Sequence, residues 1–434
     1  MAETYQPPER IERDEIIAAS DEMLGTPDIP FTETETVFRI NVADMDWDIG
    51  VMVYEPEDAD RIPAGADGRK VGVFLTHGGA GDWRSVEPLA RLLVAKLGYR
   101  IASMTYPGRL YLPDPSRDWP GDTLHADGTV RTPIWKDGEF IDDDEYDVIH
   151  DDSMRARHGI RPNARAKPGT NFYYRMAAWP LAFEEAMKEV CRRNFSEDDY
   201  SIYVHGHSTG GPFVNMLTQR IANVVGLIGV ENSPFGYIYQ RMAGREWAAP
   251  FNDLLIRNWR ELARYRGAEA LKSEGPEALM SLPALMEDIF EEWARSTRFP
   301  QFKAEYIVHY ASTPALEAAA RVTAERLGLG PRETDSMAAQ YVGMGRELTG
   351  PGIKPVPPLL FGITAYSRDH TADKYRDIVI PAYRAMDPAP KVRVVQLGTG
   401  IHSYWAPEDG LPMGTLPAIV QLWDRAISGG YFLI

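Results

Sequence analysis

The sequence predicts an α/β fold in which a mostly parallel sheet of eight strands is flanked by helices, and two observations lead to this prediction. Continuous apolar runs alternate with helical stretches along most of the chain, which is typical of buried strands in a parallel sheet. Two earlier runs, 36–42 and 49–54, alternate between polar and apolar residues, which indicates an antiparallel hairpin with one face in water. These first two strands are therefore expected to lie outside the parallel run.

The predicted elements follow in chain order after a polar leader that ends near Pro30. Six apolar strands come after the hairpin, at 71–76, 99–104, 200–205, 224–230, 358–364 and 391–397. Helices are predicted between and after them, at 86–97, 171–194, 209–222, 372–386 and 416–427. Strand and helix thus take turns from residue 71 to the end, apart from two insertions.

The insertions have different compositions. Residues 106–170 contain Pro, Gly, Asp and Trp with little periodicity, which indicates a long structured loop, and loops of this length are usually functional. Residues 237–356 carry apolar side chains at helical spacing and are expected to form a cap over the strand ends. The expected organisation is one core, made of 1–236 and 357–434, with the loop and the helical cap 237–356 as decorations.

The charge balance disfavours nucleic acid as a partner. The chain has 46 Lys and Arg against 63 Asp and Glu, a net charge of -17, whereas phosphate neutralisation needs clustered cations. Residues 113–152 hold 13 acidic and three basic side chains, and residues 153–175 hold six basic and no acidic ones. We expect these charges to pair within the insertion or to be solvated, rather than to form a partner-binding surface, because the acidic segment is followed directly by a compensating basic one.

Cysteine content and hydropathy point to a soluble cytoplasmic protein. Cys191 is the single cysteine, so neither an intrachain disulfide nor a multi-cysteine zinc site can form. The first 15 residues are polar and unlike a secretory signal, and no stretch is apolar enough for a membrane helix. No His-Glu-x-x-His helix is present either, so neither a metal nor another cofactor is expected.

A nucleophilic serine is indicated by Gly206-His207-Ser208-Thr209-Gly210, which lies between an apolar strand and a predicted helix. In that context a G-x-S-x-G turn is sharp and raises the serine hydroxyl over the edge of the sheet. The alternative is a serine that merely caps the helix after a glycine turn. The neighbouring motifs favour the catalytic interpretation.

An oxyanion hole is indicated by His77-Gly78-Gly79-Ala80-Gly81, directly after the strand at 71–76. A glycine-rich turn leaves backbone N–H groups free to stabilise a tetrahedral oxyanion. The expected donors are the amides of Gly79 and Thr209, the latter at the start of the helix. The alternative is an ordinary turn between a strand and a helix.

His402 is the expected general base. It follows the last apolar strand in Gly398-Thr399-Gly400-Ile401-His402, on a loop from which an imidazole can reach Ser208. A serine hydroxyl needs such a base to become nucleophilic at neutral pH. His205 is expected to be a packed core residue, while His77 and His207 belong to backbone turns.

Together these motifs and their order resemble the α/β-hydrolase fold family, from residue 36 to the end of the chain. The resemblance implies a serine esterase or lipase-like enzyme whose triad follows the order Ser, acid, His. In most of the family the acid follows the strand that corresponds to 358–364, which here nominates Asp369. The segment around Glu231 instead resembles a subgroup of the family that has a catalytic Glu in a Glu-Pro-Ser-Gly context. Asn232 stands where that subgroup has proline.

The two acids stay open at this point, with Glu231 preferred. A carboxylate at a buried strand end is costly unless it has a partner. The predicted activity is hydrolysis of a carboxylic ester or lactone of a hydrophobic small molecule, since the cap carries many large apolar side chains. Amide, thioester and C–C bond hydrolysis use the same machinery, and a catalytically silent ligand-binding protein is the alternative from another class.

Overall fold

The computed structural model describes the core of the chain and short parts of its insertions. The described residues are 9–42, 45–78, 83–105, 107, 134–136, 139–140, 146–150, 162–166, 171–208, 210–211, 214, 217–218, 220–232, 330–331, 354–367, 370–372, 375–384 and 388–433. The predicted cap at 237–356 therefore lies almost entirely outside the described residues, as does most of the loop at 106–170.

A nine-stranded sheet forms the centre of the molecule. Its strands are β1 Glu9–Ile11, β2 Phe31–Val42, β3 Met45–Pro56, β4 Lys70–Thr76, β5 Arg100–Met104, β10 Tyr200–Gly206, β11 Val224–Val230, β12 Leu359–Ile363 and β13 Val392–Leu397. Their order across the sheet is β1-β13-β12-β11-β10-β4-β5-β3-β2. β2 pairs antiparallel with β3 and β3 antiparallel with β5, whereas all the other pairs in this sheet are parallel.

This topology confirms the predicted fold class. A mostly parallel sheet, an antiparallel pair at one side and a G-x-S-x-G turn after the central β10 make up the α/β-hydrolase fold. All eight predicted strands are present. The carboxyl ends of β4, β10, β11, β12 and β13 lie along one edge of the sheet, because these five strands are parallel neighbours. Loops that follow them are therefore brought together.

The leader, in which the sequence pattern predicts no element, contains the ninth strand and a helix. β1 pairs in parallel with β13, with Ile11 opposite Leu397. The helix that follows, α1 Arg13–Gly25, packs against the carboxyl-terminal helix. Only three residues make up β1, which is too short for an alternation pattern to reveal it.

The other α-helices in the described part of the chain overlap the predicted ones. They are α2 Glu87–Leu97, α3 Asn171–Asn194, α4 Ile380–Arg384 after a π-helical stretch Tyr375–Val379, and α5 Leu416–Ser428. The helix expected at 209–222 is described only in part. There, the N–H groups of Val214 and Thr218 donate to the carbonyls four residues earlier, at 3.3 and 3.1 Å, as in an α-helix.

The insertion at 106–170 contains regular structure that its composition does not predict. β6 Ile134–Lys136 pairs antiparallel with β7 Glu139–Phe140, and β8 Tyr146–His150 pairs antiparallel with β9 Pro162–Ala166. These pairs are short and carry few alternating residues, which is why the sequence pattern indicates only a loop.

The hydrophobic core lies between the sheet and the helices. All seven residues of β10 are buried, because helices and loops cover both faces of the central strands. On one side, buried side chains of α2 and α5 such as Leu93, Val420 and Trp423 belong to the same core cluster as Val73 of β4. Among the described residues, no helix combines the length and apolar character needed to cross a membrane.

Candidate active site

Ser208 stands at a strained turn two residues after β10. Its φ of 50° lies in the left-handed region, which non-glycine residues rarely adopt and which costs about 1–3 kcal/mol. The flanking glycines make the turn possible, since a Cβ on Gly206 would lie 2.2 Å from the carbonyl oxygen of Gly210. A Cβ on Gly210 would lie 2.6 Å from the carbonyl oxygen of His77. The strand-to-helix elbow predicted from the G-x-S-x-G motif is therefore present.

The glycine-rich turn after β4 borders this elbow directly. A Cβ on Gly78 would lie 2.9 Å from Nδ1 of His207 and 3.5 Å from Cβ of Ser208. Only glycine therefore fits without displacing the side chains of the elbow. The two expected oxyanion donors, Gly79 and Thr209, lie outside the described residues.

Glu231 follows β11 directly and is also in the left-handed region, with φ of 51°. Its side chain is fully buried and its carboxylate accepts hydrogen bonds from the neighbouring loop. Oε1 accepts from the backbone N–H of Thr364 at 2.9 Å and from the Thr364 hydroxyl at 2.7 Å. Oε2 accepts from the hydroxyl of Ser367 at 2.5 Å. The carboxylate thus has the partners that its burial requires.

His402 lies on the loop after β13 and contacts the same carboxylate. Its Nδ1 is 3.1 Å from Oε2 of Glu231. An ionised carboxylate only accepts hydrogen bonds, so this contact places a proton on Nδ1, and in the neutral imidazole Nε2 is then the acceptor. The imidazole is one third exposed, whereas Glu231 is fully buried. This is the arrangement of a general base that is oriented by an acid behind it.

The surroundings keep Glu231 ionised. Burial raises the pKa of its carboxyl group, but the hydrogen bond from His402, the nearby His370 and the hydroxyl of Ser367 outweigh burial. The net effect holds the pKa of Glu231 below its ordinary value. Conversely, the negative charge of Glu231 adds to the effect of burial in raising the pKa of Tyr404.

Two further imidazoles flank His402, and sequence reasoning did not assign either of them to the site. The ring of His207 lies 4.6 Å from that of His402, and its Nε2–H donates to the carbonyl oxygen of His402 at 3.1 Å. The ring of His370 stacks on the other side at 5.1 Å, with an interplanar angle of 22°. Burial lowers the pKa of His207, and the proximity of His402 lowers it further, so His207 stays neutral.

A buried histidine on β10 anchors the same loop from below. Nδ1 of His205 donates to the carbonyl of Ile228 at 2.7 Å, which leaves Nε2 to accept from the hydroxyl of Tyr404 at 3.2 Å. Burial lowers the pKa of His205 to about 4. As expected from its place in a strand, His205 is a packed core residue, and it also ties β10 to the loop that carries His402.

The amino-terminal segment supports this loop at its base. The N–H of Gly398 donates to the carbonyl of Ile11 at 2.8 Å. The guanidinium of Arg13 donates to the carbonyl of Asp409, where the loop returns toward α5. Next to Gly398, the hydroxyl of Thr399 donates to the carboxylate of Glu408 at 2.5 Å. The described part of the leader, which begins at Glu9, thus supports the loop that carries His402.

Three side chains of the site have the composition of a metal centre. Ligand atoms of Glu231, His370 and His402 lie within 4.8 Å of one another, the one such group in the described part of the chain. However, the rings of His370 and His402 are stacked with nearly parallel planes, which is an unfavourable arrangement for two imidazoles that bind one ion. The oxygens of Glu231 are also already bonded to protein donors. The arrangement fits an acid and base pair better than a metal site.

The predicted residues that the structure describes thus meet at one place. The backbone N–H of Ser208 donates to the carbonyl of Glu231 at 2.8 Å, and Glu231 contacts His402. Asp369, the alternative acid, lies outside the described residues. Sequence analysis does not assign a role to His207, Ser367 or His370, although His207 belongs to the elbow motif and the other two lie within two residues of Asp369.

Comparisons with known proteins add only distant similarities. No family model matches the chain, and neither does any curated protein. Among solved structures, the chain is similar to a putative hydrolase from Agrobacterium vitis S4. The two share 14% identity, the match covers 91% of this chain and 99% of the hydrolase, and the TM-score is 0.41. A lipase in its open form shares 13% identity over 91% and 99%, with a TM-score of 0.38. An arylesterase shares 12% identity over 95% and 90%, with a TM-score of 0.37.

Proposed function

We propose that this protein is a serine hydrolase that cleaves a carboxylic ester or lactone of a hydrophobic small molecule. Ser208 is the nucleophile, His402 the general base and Glu231 the acid of the triad. The observation that carries the proposal is the contact between Nδ1 of His402 and the buried carboxylate of Glu231, beside the strained turn of Ser208. An acyl-enzyme on Ser208 is the expected intermediate.

The reaction needs a proton carrier at each step. His402 accepts the proton of the Ser208 hydroxyl through Nε2 as the hydroxyl attacks the ester carbonyl, and returns it to the leaving alcohol. Water then attacks the acyl-enzyme while His402 accepts a proton from it. The same proton returns to the oxygen of Ser208, which regenerates the free serine and releases the carboxylic acid product. Glu231 keeps the imidazole in the productive tautomer and stabilises the imidazolium that forms.

The oxyanion of each tetrahedral intermediate is assigned to the amides of Gly79 and Thr209. Support comes from the neighbouring Gly78, where a Cβ would lie 2.9 Å from Nδ1 of His207 and 3.5 Å from Cβ of Ser208, so this turn packs directly against the elbow. Backbone donors fixed in such a turn stabilise developing negative charge without reorganising.

Covalent labelling tests the nucleophile. A fluorophosphonate probe is expected to label the wild-type protein and not Ser208→Ala. Ser103→Ala is the matched control, since Ser103 is fully buried on β5 and belongs to none of the motifs of the site. Labelling that persists in Ser208→Ala, or no labelling of the wild type, contradicts the assignment.

A pair of isosteric variants tests the acid. Glu231→Gln is expected to lower turnover of a short-chain aryl ester by about 10³–10⁴-fold, because the imidazole loses its carboxylate partner. Asp369→Asn is expected to stay within a few-fold of the wild type. The opposite outcome would transfer the role to Asp369.

Substrate class is tested with one acyl group in several linkages. Aryl ester, lactone, thioester and amide versions of the same acyl chain share the tetrahedral intermediate, so differences between them report the leaving group and pocket. Turnover is expected for the ester or lactone in preference to the amide. A panel without turnover, together with fluorophosphonate labelling, would restrict the proposal to an active serine without an assigned substrate.

A further inference from the structure

The loop after β12 surrounds the carboxylate of Glu231 with donors. Thr364 supplies its backbone N–H and its hydroxyl to Oε1, and Ser367 supplies its hydroxyl to Oε2. The Ser367 oxygen itself accepts the backbone N–H of His370 at 3.0 Å, which fixes its direction. In most of the family that the sequence resembles, this loop carries the acid. Here its described part binds the carboxylate of another loop.

We propose that Ser367 is a positioning residue of the triad, which holds Oε2 of Glu231 charged and aligned with Nδ1 of His402. This inference rests on the proposed function. Oε2 accepts from Ser367 and from His402, and the two donors together determine where the carboxylate lies. Thr364 holds the other oxygen, Oε1, with its backbone N–H and its hydroxyl. Rotation of the carboxylate would therefore break at least one hydrogen bond at each of its two oxygens.

The geometry favours a role in turnover over a purely structural one. Glu231 is fully buried, and a buried carboxylate stays ionised only when donors replace the lost water. The titratable groups that face it are His402, His370 and Tyr404, with His207 behind His402. Without the hydroxyl of Ser367 the charge of the carboxylate is compensated less well, which favours a proton on Glu231 and also strengthens the attraction of the carboxylate for a protonated His402. The pair then takes up a proton at a higher pH.

The test measures the rate of fluorophosphonate labelling as a function of pH. Ser367→Ala is expected to label more slowly at neutral pH, and the acid limb of its profile is expected to move up by about one pH unit. Ser367→Thr, which keeps a hydroxyl, is expected to restore the wild-type limb. Ser103→Ala is the control for loss of a buried hydroxyl outside the site.

A second variant, at Thr364, tests the same inference independently of Ser367. Thr364→Val keeps the shape and the backbone N–H but loses the hydroxyl that binds Oε1, and it is expected to shift the acid limb in the same direction. Superimposed acid limbs for wild type, Ser367→Ala and Thr364→Val would overturn the inference while leaving the proposed nucleophile intact. A wild-type protein that does not label at any pH would overturn the proposed function, and the inference with it.

Discussion

The backbone N–H of Ser208 donates to the carbonyl of Glu231 at 2.8 Å, and both residues have φ near 50°. They are the two non-glycine residues with positive φ in the described part of the chain. Two strained turns at the ends of neighbouring strands β10 and β11 are thus hydrogen-bonded to each other, and the side-chain amide of Asn232 adds a further bond to the carbonyl of Gly206 at 2.8 Å. Strain of this kind persists only where surrounding contacts enforce it, and it concentrates at functional sites.

Replacing Gly78 by alanine is expected to impair catalysis more than folding. The new Cβ would lie 2.9 Å from Nδ1 of His207, which holds the carbonyl of His402, and 3.5 Å from Ser208. We expect kcat/KM for an aryl ester to fall by about 10–100-fold, because small displacements of reacting groups are costly. Gly65→Ala is the control, since its Cβ would come no closer than 3.4 Å to another atom. Equal activity of the two variants would contradict this prediction.

Replacing Gly398 by alanine tests the support that the leader gives to the His402 loop. A Cβ there would lie 2.8 Å from the backbone N of Arg13 and 3.0 Å from the carbonyl oxygen of Ile11. Separation of β1 from β13 is expected to lower the thermal midpoint and kcat together, with about 1–3 kcal/mol lost from the free energy of unfolding. Gly25→Ala provides the comparison, because no atom lies within 4 Å of its Cβ. A Gly398→Ala protein with the wild-type melting curve would show that the contact is dispensable.

His205 is expected to make the protein less stable in mild acid. Its pKa is lowered to about 4 in the folded state, against 6.5 as the ordinary value, so the unfolded state binds the extra proton between these values. Stability is therefore complete above pH 6.5 and falls as the pH decreases toward 4, by up to about 3 kcal/mol. Denaturant unfolding at pH 7 and pH 4.5 measures this loss.

The variant His205→Gln isolates the contribution of that imidazole. It is expected to start less stable at neutral pH, because the bonds to Ile228 and Tyr404 are altered, but to lose less on acidification than the wild type. His207, whose pKa is also lowered, contributes equally to both proteins. An identical loss in both would assign the acid sensitivity to other groups.

Glu184 offers a buried carboxylate with no part in the proposed reaction. It is fully buried on α3 and pairs with Arg220 at 2.9 Å and Lys188 at 2.8 Å. Burial raises the pKa of Glu184 in spite of these cations. Glu184→Gln is expected to cost about 3–5 kcal/mol of stability, because Arg220 loses a buried partner, while kcat of the folded protein stays unchanged. A drop in kcat matching that of Glu231→Gln would mean that burial alone, and not the contact with His402, explains the effect of removing a carboxylate.

The fold and the order of the motifs could be predicted from local patterns. Apolar runs identify β4, β10 and β11 because a strand buried on both faces has no polar alternation. The glycines of the elbow indicate a tight turn at Ser208 because a Cβ at Gly206 or Gly210 would clash with the backbone. β1 was missed because three residues carry no period. The pairs at 134–140 and 146–166 were missed for the same reason.

The sequence by itself determined the α/β architecture, the elbow and a loop histidine after the last strand, since each depends on residues close together in the chain. It left two acids open, because the contact between Glu231 and His402 joins residues 171 positions apart. Only the tertiary structure decided that Thr364 and Ser367, more than 130 positions beyond Glu231, donate to its carboxylate. The physical reason is that parallel strands deliver their carboxyl ends to one edge of the sheet, where side chains meet regardless of their distance in sequence.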